Sequence, residues 1–204
     1  MTDGVRYGIF GASGCGKTYL ALSILKKMKN VIIIDPKDDI CLAGYTSVQT
    51  FKGFLNSVKR YAEKREFLRI IIKGADVAAV GCAALDFAFR KTRGSVCFFV
   101  DECQEICPAG TARSDKFNPL LLCARMGRSK GISLILASQR ITAIDVNLRG
   151  NLNEMYLFRQ GDFSDAQAVK RMIGVDLFNL PPREFYIKKE NGDVKHYKRA
   201  QDVK

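Results

Sequence analysis

Short apolar runs and amphipathic segments alternate along most of this chain. Apolar runs closed by charged or turn-forming residues predict buried strands, whereas apolar residues three and four positions apart predict helices. The predicted strands are Val5–Phe10, Val31–Asp35, Phe67–Lys73, Val96–Asp101, Ile132–Ser138 and Glu154–Arg159. The predicted helices are Thr18–Met28, Val48–Lys64, Cys82–Lys91, Phe117–Arg128 and Asp165–Ile173. This alternation is typical of an α/β protein with a mainly parallel sheet flanked by helices.

The end of the chain carries a different pattern. Arg183–Lys188 and Val194–Lys198 are strand-like and are separated by the turn residues Asn191-Gly192-Asp193, which predicts a C-terminal β-hairpin. No internal repeat, linker or low-complexity tract interrupts the 204 residues, a length typical of one domain. We therefore expect residues 1–204 to form a single domain.

A glycine-rich segment lies between the first predicted strand and the first predicted helix. It reads Gly11-Ala12-Ser13-Gly14-Cys15-Gly16-Lys17-Thr18 and fits the phosphate-loop (Walker A) pattern GxxxxGK[ST]. Glycines let successive backbone N–H groups point at phosphate oxygens, and the helix N-terminus adds partial positive charge. We expect Gly11 through Tyr19 to bind ATP, with Lys17 on the β- and γ-phosphates and Thr18 on Mg²⁺. Cys15 is a potential oxidation site within the loop. A chance glycine-rich turn is the alternative.

A second candidate motif (Walker B) closes the strand Val96–Asp101. This apolar strand ends at Asp101, which in a parallel sheet would lie beside the phosphate loop and hold the Mg²⁺ shell. The next residue, Glu102, can polarise an attacking water. A small-molecule kinase has little use for such a base, so the Asp-Glu pair favours hydrolysis. A strand that ends in two acidic residues by chance is the alternative.

The strand Ile132–Ser138 has a candidate functional residue at each end. In NTPases with a glutamate after the Mg²⁺ aspartate, this strand is inserted between the two motif strands, so Gln139 would lie near the γ-phosphate as a sensor of hydrolysis. The basic segment before the strand includes Arg125 and Arg128 and is too distant to serve its own nucleotide. It suits an arginine finger offered to a neighbouring subunit. A surface glutamine and a solvated basic helix end are the alternatives.

The charge balance points to a polyanionic partner. The chain has 33 Lys and Arg against 21 Asp and Glu, a net charge of +12, although a merely soluble basic protein is the alternative. No element resembles a helix-turn-helix, a zinc finger or an aromatic platform, so we expect a nucleic-acid partner to be bound without sequence specificity. If the chain moves DNA through a pore, the best candidate for the DNA-facing segment is the loop after Glu102, which carries Arg113 and Lys116 and gains freedom from Gly110. A second candidate is Lys37–Tyr45.

Cysteine usage and hydropathy limit the cellular context. The seven cysteines form no CxxC pair, and the single histidine, His196, has no cysteine partners at zinc-site spacing. We interpret them as buried free thiols in a reducing cytoplasm, with an intracellular disulfide as the alternative. No stretch approaches the ~20 apolar residues of a membrane helix, and the N-terminus lacks signal-peptide features. We expect no direct membrane insertion.

The order of these motifs resembles that of the FtsK–HerA superfamily of ring-forming, DNA-pumping ATPases. The resemblance runs from Val5 to about Gly174 and is most specific over Arg128–Arg140, an arginine–strand–glutamine segment. Asp35-Pro36-Lys37 is also similar to the superfamily pattern. So is Asn151 through Asp165, in which the strand Met155–Arg159 precedes a Ser-Asp turn into a helix. The resemblance implies a P-loop NTPase with a RecA-like (ASCE) sheet.

The same resemblance assigns roles to the candidate catalytic residues. It implies that Glu102 activates water, that Lys17 contacts the phosphates and that Gln139 senses the γ-phosphate. By that alignment Arg128 is the better arginine-finger candidate and Arg125 the reserve.

Within the superfamily, this bare motor resembles the genome-packaging ATPases of tailless icosahedral viruses with an internal membrane, including the turreted viruses of archaea. That resemblance implies an ATP-hydrolysing translocase that packages double-stranded viral DNA into a preformed capsid, as a homo-oligomeric ring of about five or six subunits. It also implies contact with capsid vertex proteins and a location in the host cytoplasm during assembly or at a packaging vertex of the virion. The alternatives are another RecA-like DNA pump or helicase, a secretion or conjugation ATPase with the same core, and a monomeric small-molecule kinase.

Overall fold

The computed structural model describes residues 4–91 and 94–202. Its strands are β1 (Arg6–Phe10), β2 (Val31–Ile34), β3 (Thr46–Val48), β4 (Arg69–Ile72), β5 (Val96–Val100), β6 (Ile132–Ser138), β7 (Glu154–Phe158), β8 (Phe185–Lys189) and β9 (Val194–Tyr197). Its α-helices are α1 (Lys17–Leu25), α2 (Phe51–Lys64), α3 (Val77–Lys91), α4 (Thr111–Ser114), α5 (Pro119–Met126), α6 (Val146–Gly150) and α7 (Phe163–Ile173).

These strands form one sheet in the order β3-β4-β2-β5-β6-β1-β7-β8-β9. Neighbouring strands from β3 to β7 are parallel, whereas β8 pairs antiparallel with both β7 and β9. Strand β6 lies between β5 and β1, which confirms the predicted insertion. Because carboxyl ends of parallel strands meet at one edge of a sheet, the residues that follow β1, β2, β5 and β6 gather there.

The central strands are buried on both faces, as their near-continuous apolar sequences require. In β5 every residue is buried, and consecutive side chains point to opposite faces. Phe98 packs into a core that includes residues of α2, α3, α5 and α7, whereas Phe99 packs into a second core with α1. Helices therefore cover both faces of the sheet.

The predicted fold class is confirmed, as are the predicted strands, the helices and the C-terminal hairpin. The helix predicted from Val48 begins at Phe51, because Val48 belongs to β3 and the Thr50 hydroxyl caps the helix by accepting from the Gly53 amide at 3.1 Å. Strand β3 and helices α4 and α6 were not predicted. They span only 3, 4 and 5 residues, which is too short for a hydrophobic period to be recognised.

Two further expectations concern the thiols and the membrane. All seven cysteines lie within the described ranges and are free, which confirms the interpretation as unpaired thiols. Cys41 is exposed and Cys82 is half-buried, and the others are buried. Across residues 4–91 and 94–202, no helix has both the length and the apolar character needed to span a membrane.

Candidate active site

The glycine-rich loop Gly11–Gly16 joins the carboxyl end of β1 to the N-terminus of α1. Gly16 has a φ of 108°, a conformation that favours glycine, and α1 begins at the next residue. Gly11 permits a close approach of two backbones, since a Cβ atom there would lie 2.6 Å from the Cβ of Phe158 in β7. The glycines therefore let the loop curl tightly against β7 at the site edge.

Lys17 is folded back over this loop. Its Nζ atom donates to the carbonyl oxygens of Gly11 at 2.8 Å and Ala12 at 2.9 Å. The residue is 7% exposed, and this burial lowers the pKa of the ammonium group, although the charge of Glu102 opposes the shift. Phosphate oxygens carry negative charge and bind an ammonium group more strongly than neutral carbonyl oxygens do. A phosphate in the loop could therefore replace the two carbonyl contacts of Lys17.

The other predicted loop residues differ in exposure. Ser13, Gly14 and Tyr19 are exposed, whereas Thr18 is half-buried in the first turn of α1. Cys15 is buried, and burial raises the pKa of its thiol. Reactive cysteines are accessible and ionised, so this environment disfavours the expected oxidation of Cys15.

Asp101 follows the last residue of β5 and is 2% exposed. Its Oδ1 atom has no hydrogen-bond partner among the described residues, and burial raises its pKa. Asp35 follows the last residue of the neighbouring strand β2. One carboxylate oxygen from each of Asp35, Asp39 and Asp101 lies within 4.8 Å of the other two. Together with the Thr18 hydroxyl, these carboxylates are the candidate metal ligands of this edge.

Glu102 is buried next to Asp101 and has a φ of 46°, a strained conformation for a residue other than glycine. Its Oε1 accepts from the Nε2 of Gln139 at 2.7 Å and forms an ion pair with Lys37. Its Oε2 accepts from the Nε2 of Gln104 at 2.8 Å and from the backbone N–H of Gln139 at 3.3 Å. Both carboxylate oxygens are thus held in place.

These contacts also determine the charge of Glu102. Burial by itself raises the pKa of this carboxyl, but the hydrogen bonds from Lys37, Gln104 and Gln139 outweigh burial and leave the pKa below its usual value. Glu102 is therefore ionised near neutral pH, which is the state a general base requires.

Gln139 connects Glu102 to helix α7. The next residue, Arg140, donates from Nε to the carboxylate of Asp165 at 3.1 Å. Asp165 is buried in the first turn of α7 and also accepts from the amide and hydroxyl of Thr142, at 2.9 and 2.6 Å. Hydrogen bonds therefore connect the segment after β6 to α7, next to Gln139.

Lys37 lies beside the candidate catalytic centre. It begins the segment Lys37–Tyr45, the second candidate for a DNA-facing pore, and its ammonium group is paired with the carboxylate of Glu102. The site residues predicted from sequence do not include Lys37, so the structure adds this residue to the site.

The loop after Glu102 is more constrained than expected. The amide of Ala109 donates to the Ala143 carbonyl at 2.8 Å, and the amide of Ala112 donates to the buried Asp145 carboxylate at 2.9 Å. These bonds flank Gly110, so that glycine is not a free hinge. The basic side chains at positions 113 and 116 remain exposed.

The basic segment before β6 lies at the opposite edge of the sheet. Arg125 is near the end of α5 and Arg128 begins the 3₁₀ turn Arg128–Lys130, and both are exposed. Strand β6 has 7 residues, so at about 3.3 Å per residue this segment is roughly 23 Å from Gln139. The structure therefore keeps both arginines away from the glycine-rich loop of their own chain.

A cavity of about 630 Å³ adjoins the glycine-rich loop. Its lining includes Gly16, Tyr19, Phe158, Arg183 and Arg199. Its volume is in the range of cofactor pockets, and aromatic walls with a few polar groups are typical of such pockets. The last three of these residues are far from the loop in sequence and were not predicted.

Several site residues cannot be identified from local sequence patterns, because their place in the site depends on the order of the strands. Asp35 and Lys37 belong to a segment that resembles the superfamily pattern, and they approach β5 because β2 and β5 are adjacent in the sheet. Gln104 carries no local motif, and Asp165 enters only through the resemblance over the segment Asn151 through Asp165. A hypothesis that β2 lies beside β5 would have brought Asp35 and Lys37 to this edge.

Comparison with solved structures gives similar folds at low identity. The genome packaging NTPase B204 of Sulfolobus turreted icosahedral virus 2, in complex with AMPPCP, is 16% identical, with a TM-score of 0.75 over 98% of this chain and 100% of that chain. VirB4 of Thermoanaerobacter pseudethanolicus is 15% identical, with a TM-score of 0.68 over 95% and 88% of the two chains. The cytoplasmic domain of the type VII secretion ATPase EccC of Thermomonospora curvata is 19% identical, with a TM-score of 0.57 over 95% of this chain and 25% of that chain.

These likenesses show that this chain has the same fold as the three proteins. The curated proteins include no match to the sequence. Residues 7–160 match the family of ATPases associated with various cellular activities (AAA), over most of the chain. The match includes the glycine-rich loop, Asp101, Glu102 and Gln139. The chain belongs to the AAA family of ATPases.

Proposed function

We propose that this ATPase is a motor that translocates double-stranded DNA and packages a viral genome into a preformed capsid. The convergence of three strand ends at one edge of the sheet supports the ATP-hydrolysing part of this proposal. The glycine-rich loop follows β1, Gln139 follows β6 and Glu102 follows β5, and these strands are consecutive neighbours. A nucleotide on the loop would have its terminal phosphate directed toward Glu102 and Gln139.

ATP binding is assigned to Gly11 through Tyr19. Loop amides and the Lys17 ammonium would hold the phosphates, and the cavity lined by Tyr19, Phe158, Arg183 and Arg199 would receive the base and ribose. B204, which has a similar fold, was solved with AMPPCP and with ATPγS. This likeness supports a nucleotide in the loop.

The residues present fit a Mg²⁺ ion. Asp101 is buried with an oxygen that has no partner in the described part of the chain, and hard oxygen donors are the ligands Mg²⁺ prefers. Thr18 and Asp101 would hold the ion, which when bound neutralises charge on the β- and γ-phosphates.

Glu102 is proposed as the base of hydrolysis. It would accept a proton from water, whose oxygen attacks the γ-phosphorus as the bond to the β–γ bridging oxygen breaks. Gln139 contacts the Glu102 carboxylate and would sense the γ-phosphate. Lys37 and Gln104 keep the carboxylate ionised and oriented, so we regard both as positioning residues.

The site would be completed by a second subunit. Arg128, with Arg125 in reserve, lies at the opposite edge of the sheet, where a head-to-tail contact could offer it to a neighbour's nucleotide. Contacts of that type close into a ring when their rotation permits, and we propose a closed homo-oligomer of about five or six subunits. We further propose a single domain over residues 1–204.

DNA is the proposed polymer because of the net charge of +12, with the exposed Arg113 and Lys116 on the loop after Glu102 as candidate phosphate contacts. Such contacts would carry no sequence specificity. We propose docking on capsid vertex proteins without membrane insertion, in the host cytoplasm during assembly or at a packaging vertex of the virion.

The test is ATP hydrolysis with and without long double-stranded DNA at matched ionic strength, with Glu102→Gln as the inactive control. We expect stimulation by DNA that weakens as salt rises, since phosphate contacts release counterions. Hydrolysis that is indifferent to DNA at every salt concentration would contradict a DNA motor.

A secretion ATPase with the same core is the second candidate, supported by the likeness to EccC. Another RecA-like DNA pump or helicase is the third. A secretion ATPase would be stimulated by a polypeptide substrate and not by DNA. Translocation assays on duplex DNA with unlinked and covalently linked strands separate a duplex pump from a helicase, which must part the strands.

A further inference from the structure

Three acidic side chains converge beside the candidate catalytic centre. Asp35 and Asp101 occupy corresponding positions after the adjacent parallel strands β2 and β5, and Asp39 lies on the turn that follows β2. One oxygen from each lies within 4.8 Å of the other two. Three anionic groups this close repel one another unless a cation or a proton lies between them.

The two buried members are incompletely bonded. Asp35 is fully buried, and although its Oδ2 accepts from the Ile40 amide at 2.8 Å, its Oδ1 has no partner among the described residues. Asp101 is 2% exposed and its Oδ1 is also without a partner there. Buried carboxylate oxygens are costly when unpaired, so these two point to a positively charged ligand.

The lysines whose charge acts on this cluster bond to other acceptors. Lys37 pairs with Glu102, and Lys73 pairs with Asp38 at 2.6 Å. Lys17 donates to the carbonyl oxygens of the glycine-rich loop. The protein's own cations therefore leave the unpartnered oxygens unsatisfied.

We propose that Asp35, Asp39 and Asp101 bind a hard divalent cation in the absence of nucleotide. Carboxylate oxygens bound to one Mg²⁺ or Ca²⁺ lie about 2.0–2.6 Å from the metal, and therefore at most about 4–5 Å from each other, which fits the observed cluster. Asp35 and Asp101 supply buried ligands, and the exposed Asp39 closes the site from solvent with waters completing the shell.

This site is distinct from the one proposed for nucleotide-bound Mg²⁺, although both use Asp101. It requires neither Thr18 nor a phosphate, and it needs Asp35 and Asp39, which the nucleotide site does not. A bound ion would join the ends of β2 and β5 next to Glu102. The inference does not depend on the proposed packaging function.

The test is a titration of nucleotide-free full-length protein with Mn²⁺, following free Mn²⁺ by electron paramagnetic resonance. Asp39→Asn removes one exposed ligand charge and should weaken Mn²⁺ binding about tenfold or more, because affinity depends on ligand charge. Asp38→Asn removes the same charge at the neighbouring position and should leave affinity within about twofold. Asp35→Asn should abolish binding, with circular dichroism to verify that this variant folds.

The Thr18→Ala variant separates the two sites. Unchanged Mn²⁺ binding by Thr18→Ala, together with loss in Asp39→Asn, supports the proposal. Three outcomes overturn it: no Mn²⁺ binding by the wild-type chain, equal weakening in Asp38→Asn and Asp39→Asn, or loss of binding in Thr18→Ala. The first would indicate a shared proton between Asp35 and Asp101, and the second only general electrostatic attraction.

Discussion

The two edges of the central sheet are built in opposite ways. At the carboxyl edge, Lys17, Asp101 and Glu102 are buried, and Glu102 is held by several hydrogen bonds. At the other edge, Arg125 and Arg128 are exposed, on a short turn and a helix end. One edge is organised by burial and hydrogen bonds, whereas the other places two arginines at the surface.

This difference separates the parts of the reaction that one chain performs from those that need a second. Buried, hydrogen-bonded groups have fixed geometry and tuned pKa values, which suits nucleotide binding and proton transfer. Exposed arginines roughly 23 Å away cannot act in the same site, but they can act across an interface.

The largest effect is expected for Lys17→Ala at the buried edge. Loss of the ammonium removes the main phosphate contact, so ATP turnover should fall at least about 10³-fold and stabilisation by ATPγS in a thermal-shift assay should disappear. Lys27→Ala changes an exposed lysine just beyond α1 and should leave both readouts unchanged. Retained turnover in Lys17→Ala would mean that the nucleotide lies elsewhere.

The next effect is expected for Arg128→Ala at the exposed edge. Removal of a finger that stabilises transition-state charge should lower turnover by about 10³–10⁵-fold, while ATPγS binding persists. Lys130→Ala, two residues away on the same turn, is the matched control. Full turnover in Arg128→Ala and loss in Arg125→Ala would transfer the role to the reserve residue.

A smaller loss is expected for Glu102→Gln. The amide cannot accept the water proton, so turnover should fall by about 10²–10⁴-fold with ATP binding intact. Glu105→Gln alters an exposed carboxylate in the 3₁₀ turn Cys103–Glu105, which directly follows Glu102, and should behave as wild type. If both variants hydrolyse ATP normally, the base is another group.

The smallest effect concerns pH. The pKa of Glu102 lies below its usual value, so activity that depends on the ionised base should fall only when pH drops below the usual glutamate range. Lys37→Met removes a hydrogen bond that lowers this pKa, and should move the acid limb of the pH–rate profile to higher pH. Lys73→Met, which breaks a comparable ion pair with Asp38, should leave the limb unmoved. An unshifted limb in Lys37→Met would remove Lys37 from its positioning role.

The sequence predicts some parts of this site better than others for a physical reason. The glycine-rich loop, Asp101, Glu102 and Gln139 follow directly from local patterns, since each adjoins a strand with a strong apolar signal. The contact between Lys37 and Glu102 depends on β2 lying beside β5, which no local pattern specifies. The constraint on the loop after Glu102 likewise arises from distant partners, Ala143 and Asp145.

We infer that the two edges act together across a subunit boundary, a claim that complementation between two inactive variants can test. Each variant is first shown to assemble on its own. Unassembled Lys17→Ala and Arg128→Ala subunits are then mixed and allowed to assemble together, and the ATP turnover of the mixed oligomers is measured. Each variant alone should be inactive, whereas random mixing should restore about a quarter of the sites, those with an intact Lys17 facing a neighbour's intact Arg128. Mixed oligomers that remain as inactive as either parent would contradict the claim.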